Sequence, residues 1–118
     1  MTTLFGIKNC DTVKKARKWL ESNDQTFTFH DFREDGLDKA QVQTWEKAVG
    51  KDLLINKRST TWKQLSDDEK VLFSSSDKLS AAAVDIVVDN PTLIKRPVLA
   101  KQSQVLVGFK VADYEALF

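Results

Sequence analysis

Three positions in this chain have residue types and settings that could carry chemistry. They are Cys10, Arg58 and Arg96. Cys10 is the only cysteine and stands between a short β-prone segment and a run with helical spacing, flanked by Asn9, Asp11 and Thr12. At a helix N-terminus the unpaired N–H groups and the macrodipole favour an anion. Cysteines in such places ionise anywhere from ~3.5 to ~7.5, against ~8.5 for a free thiol. Lys8, Lys14 and Lys15 add positive charge nearby in sequence. A thiolate there would be a nucleophile; the competing reading is an inert buried cysteine, since free cysteine is often a core residue. Arg58 lies in a polar loop after an apolar stretch, and Arg96 directly precedes Pro97 at the start of a strand-like segment. Both loops could return to the C-terminal end of the first strand, where open α/β sheets place their sites. Two guanidiniums there would stabilise a thiolate and grip an oxyanion or carboxylate bidentately. Spacing alone favours the plainer alternative, two solvated surface arginines. His30, the only histidine, sits on an alternating segment and reads as an exposed or packed side chain rather than a base. Trp19, Trp45 and Trp62 read as packing residues.

These residues need a scaffold. Thr3–Ile7 predicts a first strand, and Val13, Ala16, Trp19 and Leu20 follow at helical spacing with Lys14, Lys15, Arg17 and Lys18 opposite. Residues 27–32 alternate apolar and polar, which predicts a second strand, and Glu34-Asp35-Gly36 predicts a turn. This β-α-β opening implies a right-handed crossover and parallel strands. A second helix is expected from Leu37-Asp38 to a stop at Gly50, with Val42, Trp45, Val49 and Ala48 on its apolar face. Leu53-Leu54-Ile55 reads as an apolar plug, Trp62–Leu65 as one helical turn, and Ser66–Glu69 as a capping box opening a short helix through Phe73. Leu79, Ala82, Ala83, Ile86 and Val87 predict an amphipathic helix ended by Asn90-Pro91. Residues 97–101 and 104–109 predict an antiparallel hairpin around Gln102-Ser103, followed by a last helix over 111–118 packing through Val111, Tyr114, Ala116 and Leu117. A proline opening a strand cannot donate to the ladder, so Pro97 marks a bend; sequence leaves its isomer open. The order predicts an α/β, thioredoxin-like fold with a helical insertion, roughly residues 37–90, between the second and third strands. Residues 1–118 are expected to form a single domain.

Composition narrows the function classes. Of 118 residues, 42% are apolar and 30% charged, with a formal net charge of +1. That balance gives no reason to expect a nucleic-acid partner. One cysteine cannot form an internal disulfide, which points to the reducing cytoplasm. With one cysteine and one histidine, no structural zinc or other metal site is expected. No apolar run approaches the ~20 residues that span a bilayer, and the N-terminal segment has no basic-then-apolar leader pattern.

Three blocks carry a resemblance. Gly6-Ile7-Lys8-Asn9-Cys10-Asp11-Thr12, Asn56-Lys57-Arg58-Ser59-Thr60 and residues 90–98, Asn-Pro-Thr-Leu-Ile-Lys-Arg-Pro-Val, resemble the arsenate reductase (ArsC)/Spx-like family, nearest its YffB-type branch. The likeness spans essentially the whole chain. It implies a thioredoxin-like fold, Cys10 as nucleophile, Arg58 and Arg96 as the stabilising arginines, and a cis bond before Pro97. Asn9, Asp11, Thr12 and Pro97 are expected on the substrate side of the site. Two departures bear on activity. The glutathione-coupled reductases of the family carry a third arginine just before the last helix, where this chain has Phe109 followed by Lys110. Spx-like regulators often carry C-x-x-C, whereas here Val13 follows Cys10 at that spacing. A resolving thiol must therefore come from outside. The expected activity is a monothiol, glutathione-dependent thiol–disulfide reductase with no bound cofactor. Its expected partners are glutathione, glutaredoxin or an oxidised protein. The alternatives are an arsenate reductase and a non-enzymatic Spx-like regulatory or adaptor domain.

Overall fold

The first strand ends on a glycine because the first helix packs on top of it. In the computed structural model, which describes residues 2–118, β1 spans Thr2–Gly6 and α1 spans Asp11–Ser22. A Cβ on Gly6 would sit 2.7 Å from Cγ2 of Val13. Met1, the first residue of the N-terminal segment judged above for a leader, lies outside the described residues. α1 buries Val13, Ala16 and Leu20, an i, i+3, i+7 stripe, and keeps its lysines on the outer side. β2 (Thr28–Asp31) pairs in parallel with β1, from Thr3 opposite Thr28 to Gly6 opposite Asp31.

After a helical segment the chain returns as β3 (Val98–Lys101) and β4 (Gln104–Val107), an antiparallel hairpin. Gln102 takes the left-handed conformation in its turn (φ 55°). β3 runs antiparallel to β1, with Phe5 opposite Val98, giving the sheet order β2-β1-β3-β4. This is the thioredoxin-like arrangement. β4 stops at Val107, two residues short of the expected end, because Gly108 turns the chain with φ 76°. α7 (Val111–Leu117) closes the chain. Leu4, Ala16, Leu20, Leu99 and Tyr114 form the buried centre of this unit, with Trp19, Phe27, Phe29, Leu106, Phe109, Leu117 and Phe118 packed around them. Of the four packing residues expected on α7, only Tyr114 is fully buried. Leu117 is half-buried, while Val111 and Ala116 face solvent, since so short a helix offers the core little more than one face.

Residues 37–95 form a second compact unit, distinct from the sheet unit made of the chain up to Gly36 and Arg96–Phe118. It contains α2 (Lys39–Val49), α3 (Lys51–Leu54), α4 (Thr60–Gln64), α5 (Asp67–Leu72), α6 (Ala81–Asp89) and a 3₁₀ turn at Pro91–Leu93. Two reciprocal capping boxes start helices here, Asp38 with Gln41 and Ser66 with Glu69. Ser80 caps α6 by accepting from Ala83 N, so Leu79 falls before the helix and is buried there. The buried stripe of α6 is consequently Ala83, Val84 and Val87, and Ala82 is exposed. Ala48 also points to solvent, and the apolar plug divides: Leu54 and Ile55 are buried whereas Leu53 is 55% exposed. Ile55 bridges to Ile94 in antiparallel fashion, flanked by Asn56 N–H to Leu93 O and Lys95 N–H to Leu54 O. Among the described residues no helix is long and apolar enough to cross a membrane.

Candidate functional site

Cys10 is the residue at which α1 begins. Its N–H donates to Ile7 O at 3.1 Å, closing a tight turn, and its carbonyl accepts from Lys14 N at 3.0 Å as the first bond of the helix. Its backbone is extended (φ −84°, ψ 124°), and no side chain caps the helix. Asn9, Asp11 and Thr12 carry short polar side chains of the kind that can cap a helix, yet none does so here. In the helical unit, α2, α4, α5 and α6 each start on an Asp or Ser whose oxygen accepts an N–H. At α1 the residue in that place offers sulfur, which leaves the first-turn N–H groups without a side-chain acceptor. The thiol is free and half-buried. Asn9 and Asp11 are exposed and Thr12 is half-buried. Asp11, in the first turn, complements the helix dipole.

Strand register brings other residues to this end of the sheet. β1 leaves the sheet after Gly6, and Gly6 pairs with Asp31 at the end of β2. β3 enters at Val98, opposite Phe5, so Arg96-Pro97 arrives where the Cys10 turn departs. Gly108 N–H donates to Pro97 O at 2.9 Å, which adds Gly108-Phe109 from the end of β4. The Arg96–Pro97 bond is cis, as the family resemblance implied. Arg96 is half-buried, and its Nε is fully buried with no hydrogen-bond partner among the described residues. An unpaired buried donor costs about 1–3 kcal/mol, so this one is a natural place for an acceptor from a ligand. Phe109 turns its ring inward, edge-on to Tyr114 with centroids 4.8 Å apart. The position that the family resemblance marked for a third arginine thus holds a half-buried ring packed against the apolar core.

Charge near the thiol is arranged differently from the expectation. The Lys8 ammonium is taken up by Glu34, 3.0 and 3.1 Å from its two oxygens. Arg17 lies over the Phe29 ring at 4.5 Å, and Lys14 and Lys15 are exposed on the outer face of α1. His30 packs against Phe5, centroids 4.9 Å apart, with Nε2 2.7 Å from Gly36 O, so its ring is committed to structure.

Arg58 belongs to the helical unit. It is exposed on a turn built by Asn56, whose Oδ1 accepts from Arg58 N at 3.0 Å, and by Ser59, which caps α4. With Asn56, Lys57, Lys95, Asp52, Leu53 and Ile55 it lines an open cleft of about 670 Å³. One residue of the sheet unit escaped the sequence reading altogether. Asp31 is buried, and its carboxylate accepts backbone N–H groups from Lys8, Arg33 and Glu34. Burial alone would raise its carboxyl; the three N–H groups and the Lys8 charge outweigh that and hold it below the ordinary value of 3.8. An aspartate directly before a Phe-Arg-Glu-Asp-Gly turn was the available signal, since aspartate commonly bonds the backbone two residues on.

A thioredoxin-like sheet with an inserted helical segment, and a lone thiol where the first helix begins, defines the class of arsenate-reductase-related proteins. The chain belongs to the ArsC family, whose sequence profile matches residues 5–117. It is 47% identical to an uncharacterised protein of Haemophilus influenzae over 100% of this chain and 99% of that one. The global transcriptional regulator Spx of Streptococcus pyogenes is 28% identical, over 98% of this chain and 84% of its own length. Among solved structures, the YffB (PA3664) protein superposes with a TM-score of 0.88 at 36% identity, covering 98% of this chain and 97% of that one.

Proposed function

We propose that this protein is a monothiol, glutathione-dependent thiol–disulfide reductase working through Cys10. The Cys10 thiolate attacks one sulfur of an oxidised substrate, the S–S bond breaks, and the other sulfur leaves as a thiolate. The resulting mixed disulfide is opened by a second, external thiolate, which regenerates Cys10 and carries the oxidation away as a new disulfide. Glutathione is the external thiol in this reading, and glutaredoxin or an oxidised protein is the exchange partner. The chain has no second cysteine to do that work. Arg96, with its unpaired Nε–H, is assigned to a carboxylate or oxyanion of the substrate. Arg58 is assigned the second anion contact on the family resemblance. Asn9, Asp11, Thr12 and Pro97 are assigned to the substrate side. A thiol used this way requires a reducing compartment, and the cytoplasm is the assigned location.

The observation that carries the reading is the start of α1: a free thiol stands where a capping oxygen would, at the sheet end that also receives Arg96. Incubation with oxidised glutathione near pH 7 followed by intact mass measurement tests it. One glutathione adduct is expected on the wild type and none on Cys10→Ser. Absence of an adduct on folded wild type would end the proposal. Arsenate reduction is the second reading, favoured by family membership. It is disfavoured by Phe109, which supplies an apolar ring to the core in place of a cation. Arsenate-dependent turnover with glutathione and glutaredoxin decides between the two.

A further inference from the structure

Asp31 is the one charged residue that is buried among the described residues. Removing a carboxylate from water is costly, and the cost must be recovered by specific bonds. Here those bonds reach the turn that carries the thiol. Oδ2 accepts the Lys8 N–H at 3.3 Å, while Oδ1 accepts Arg33 N–H at 2.8 Å and Glu34 N–H at 3.4 Å. Asp31 is itself held: its N–H donates to Asp35 Oδ2 at 3.0 Å, and its carbonyl accepts from Asp35 N at 2.7 Å. The next residue, Phe32, donates its N–H to Gly6 O at 2.9 Å. The turn after β2 therefore grips the end of β1 and the residue two places before Cys10. The Ile7–Cys10 turn is closed by its own hydrogen bond and tied down at Lys8.

The Lys8 and Asn9 residues are exposed, whereas the Lys8 N–H bond to Asp31 is part-buried, so the carboxylate holds the backbone of an otherwise solvent-facing turn. Spending a carboxylate on it makes sense if the placement of the turn itself matters. We infer that Asp31 is a positioning residue: by fixing Lys8 it sets the direction in which Cys10 presents its sulfur to the uncapped end of α1. The inference rests on the thiol reading above and assigns Asp31 no contact with substrate.

The test is the pH profile of Cys10 alkylation by iodoacetamide, measured for the wild type, Asp31→Asn and Leu99→Ala. Leu99 is a buried core residue of β3, so its truncation destabilises the same sheet without touching the turn. Asp31→Asn should slow alkylation near neutral pH about five-fold, the equivalent of one hydrogen bond, and displace the profile along the pH axis. Leu99→Ala should lower the melting temperature and leave the profile in place. Superimposable profiles for the wild type and Asp31→Asn, or an equal displacement in Leu99→Ala, overturn the role of Asp31 while leaving a reactive Cys10 standing. A wild-type thiol no faster than a cysteine in a short peptide overturns the thiol reading, and this inference with it. If Asp31→Asn does not fold, the wild type still decides. The amide resonances of Lys8, Arg33 and Glu34 should shift together on acidification, with one midpoint below 3.8. A Lys8 resonance that fails to follow the other two refutes the tether.

Discussion

Gly6→Ala is the most direct probe of how α1, and with it Cys10, is seated. The added Cβ would meet Val13 Cγ2 at 2.7 Å, Cγ1 at 3.2 Å and Cβ at 3.5 Å. Carbon atoms in contact rest ~3.5–4.0 Å apart, so the closest pair overlaps by about 1 Å. Valine in a helix has one strongly preferred χ1 rotamer, and both of its methyl groups already face Gly6, so rotation gives little relief. The start of α1 must lift from β1 instead. Overpacking of this kind costs about 1–3 kcal/mol, offset by about 0.4–1 kcal/mol from the stiffer unfolded chain. The net loss is about 1–2 kcal/mol, which at this chain length lowers the melting temperature by roughly 3–10 °C. Thermal and urea unfolding measure it. Val13→Ala supplies the second arm of a double-mutant cycle: with the methyl groups gone, Gly6→Ala should cost nothing further, giving a coupling energy of about 1 kcal/mol or more. Wild-type stability in Gly6→Ala, or strict additivity in the double mutant, would refute the close-packing argument.

Two further outcomes follow from buried polar groups. The Tyr114 hydroxyl is fully buried without a partner among the described residues, and burial pushes its ionisation well above the ordinary value of 10. Tyr114→Phe keeps the edge-on contacts to Trp19 and Phe109 and should stabilise the protein by about 1 kcal/mol, read as a higher urea midpoint. The wild type should lose stability as pH rises above 10, where only the unfolded tyrosine ionises freely, and the variant should lose less; a variant that is less stable than the wild type at pH 7 contradicts the unpaired hydroxyl. Asp31 works in the opposite direction. Because its folded carboxyl ionises below 3.8, its contribution is complete above that value and is lost as pH falls through the lower folded one. Stability curves between pH 6 and pH 2 should be steeper on the acid side for the wild type than for Asp31→Asn, and parallel curves would contradict it.

Local physics wrote much of this fold into the sequence. The apolar spacing of Val13, Ala16 and Leu20, the Ser66–Glu69 capping box and the turn at Gln102-Ser103 each act over a few residues, and each element formed where expected. Element ends were less legible. Leu79 fits the helical stripe of α6 by spacing, yet Ser80 bonds the Ala83 N–H and starts the helix one residue later. Leu53, Ala48 and Val111 are apolar by type and exposed in fact, because burial depends on which face a neighbour covers.

The same division holds at the candidate site. Residue type and order placed Cys10 at the head of α1 and Arg96 before β3, since a strand–turn–helix junction and a proline are local features. Sequence could not tell that Lys8 spends its charge on Glu34, or that Asp31 reaches back 23 residues to the Lys8 amide. Nor could it show that the Arg96 Nε–H is buried and unpaired. Those facts depend on strand register, which sets chain segments distant in sequence side by side at a spacing no local pattern encodes.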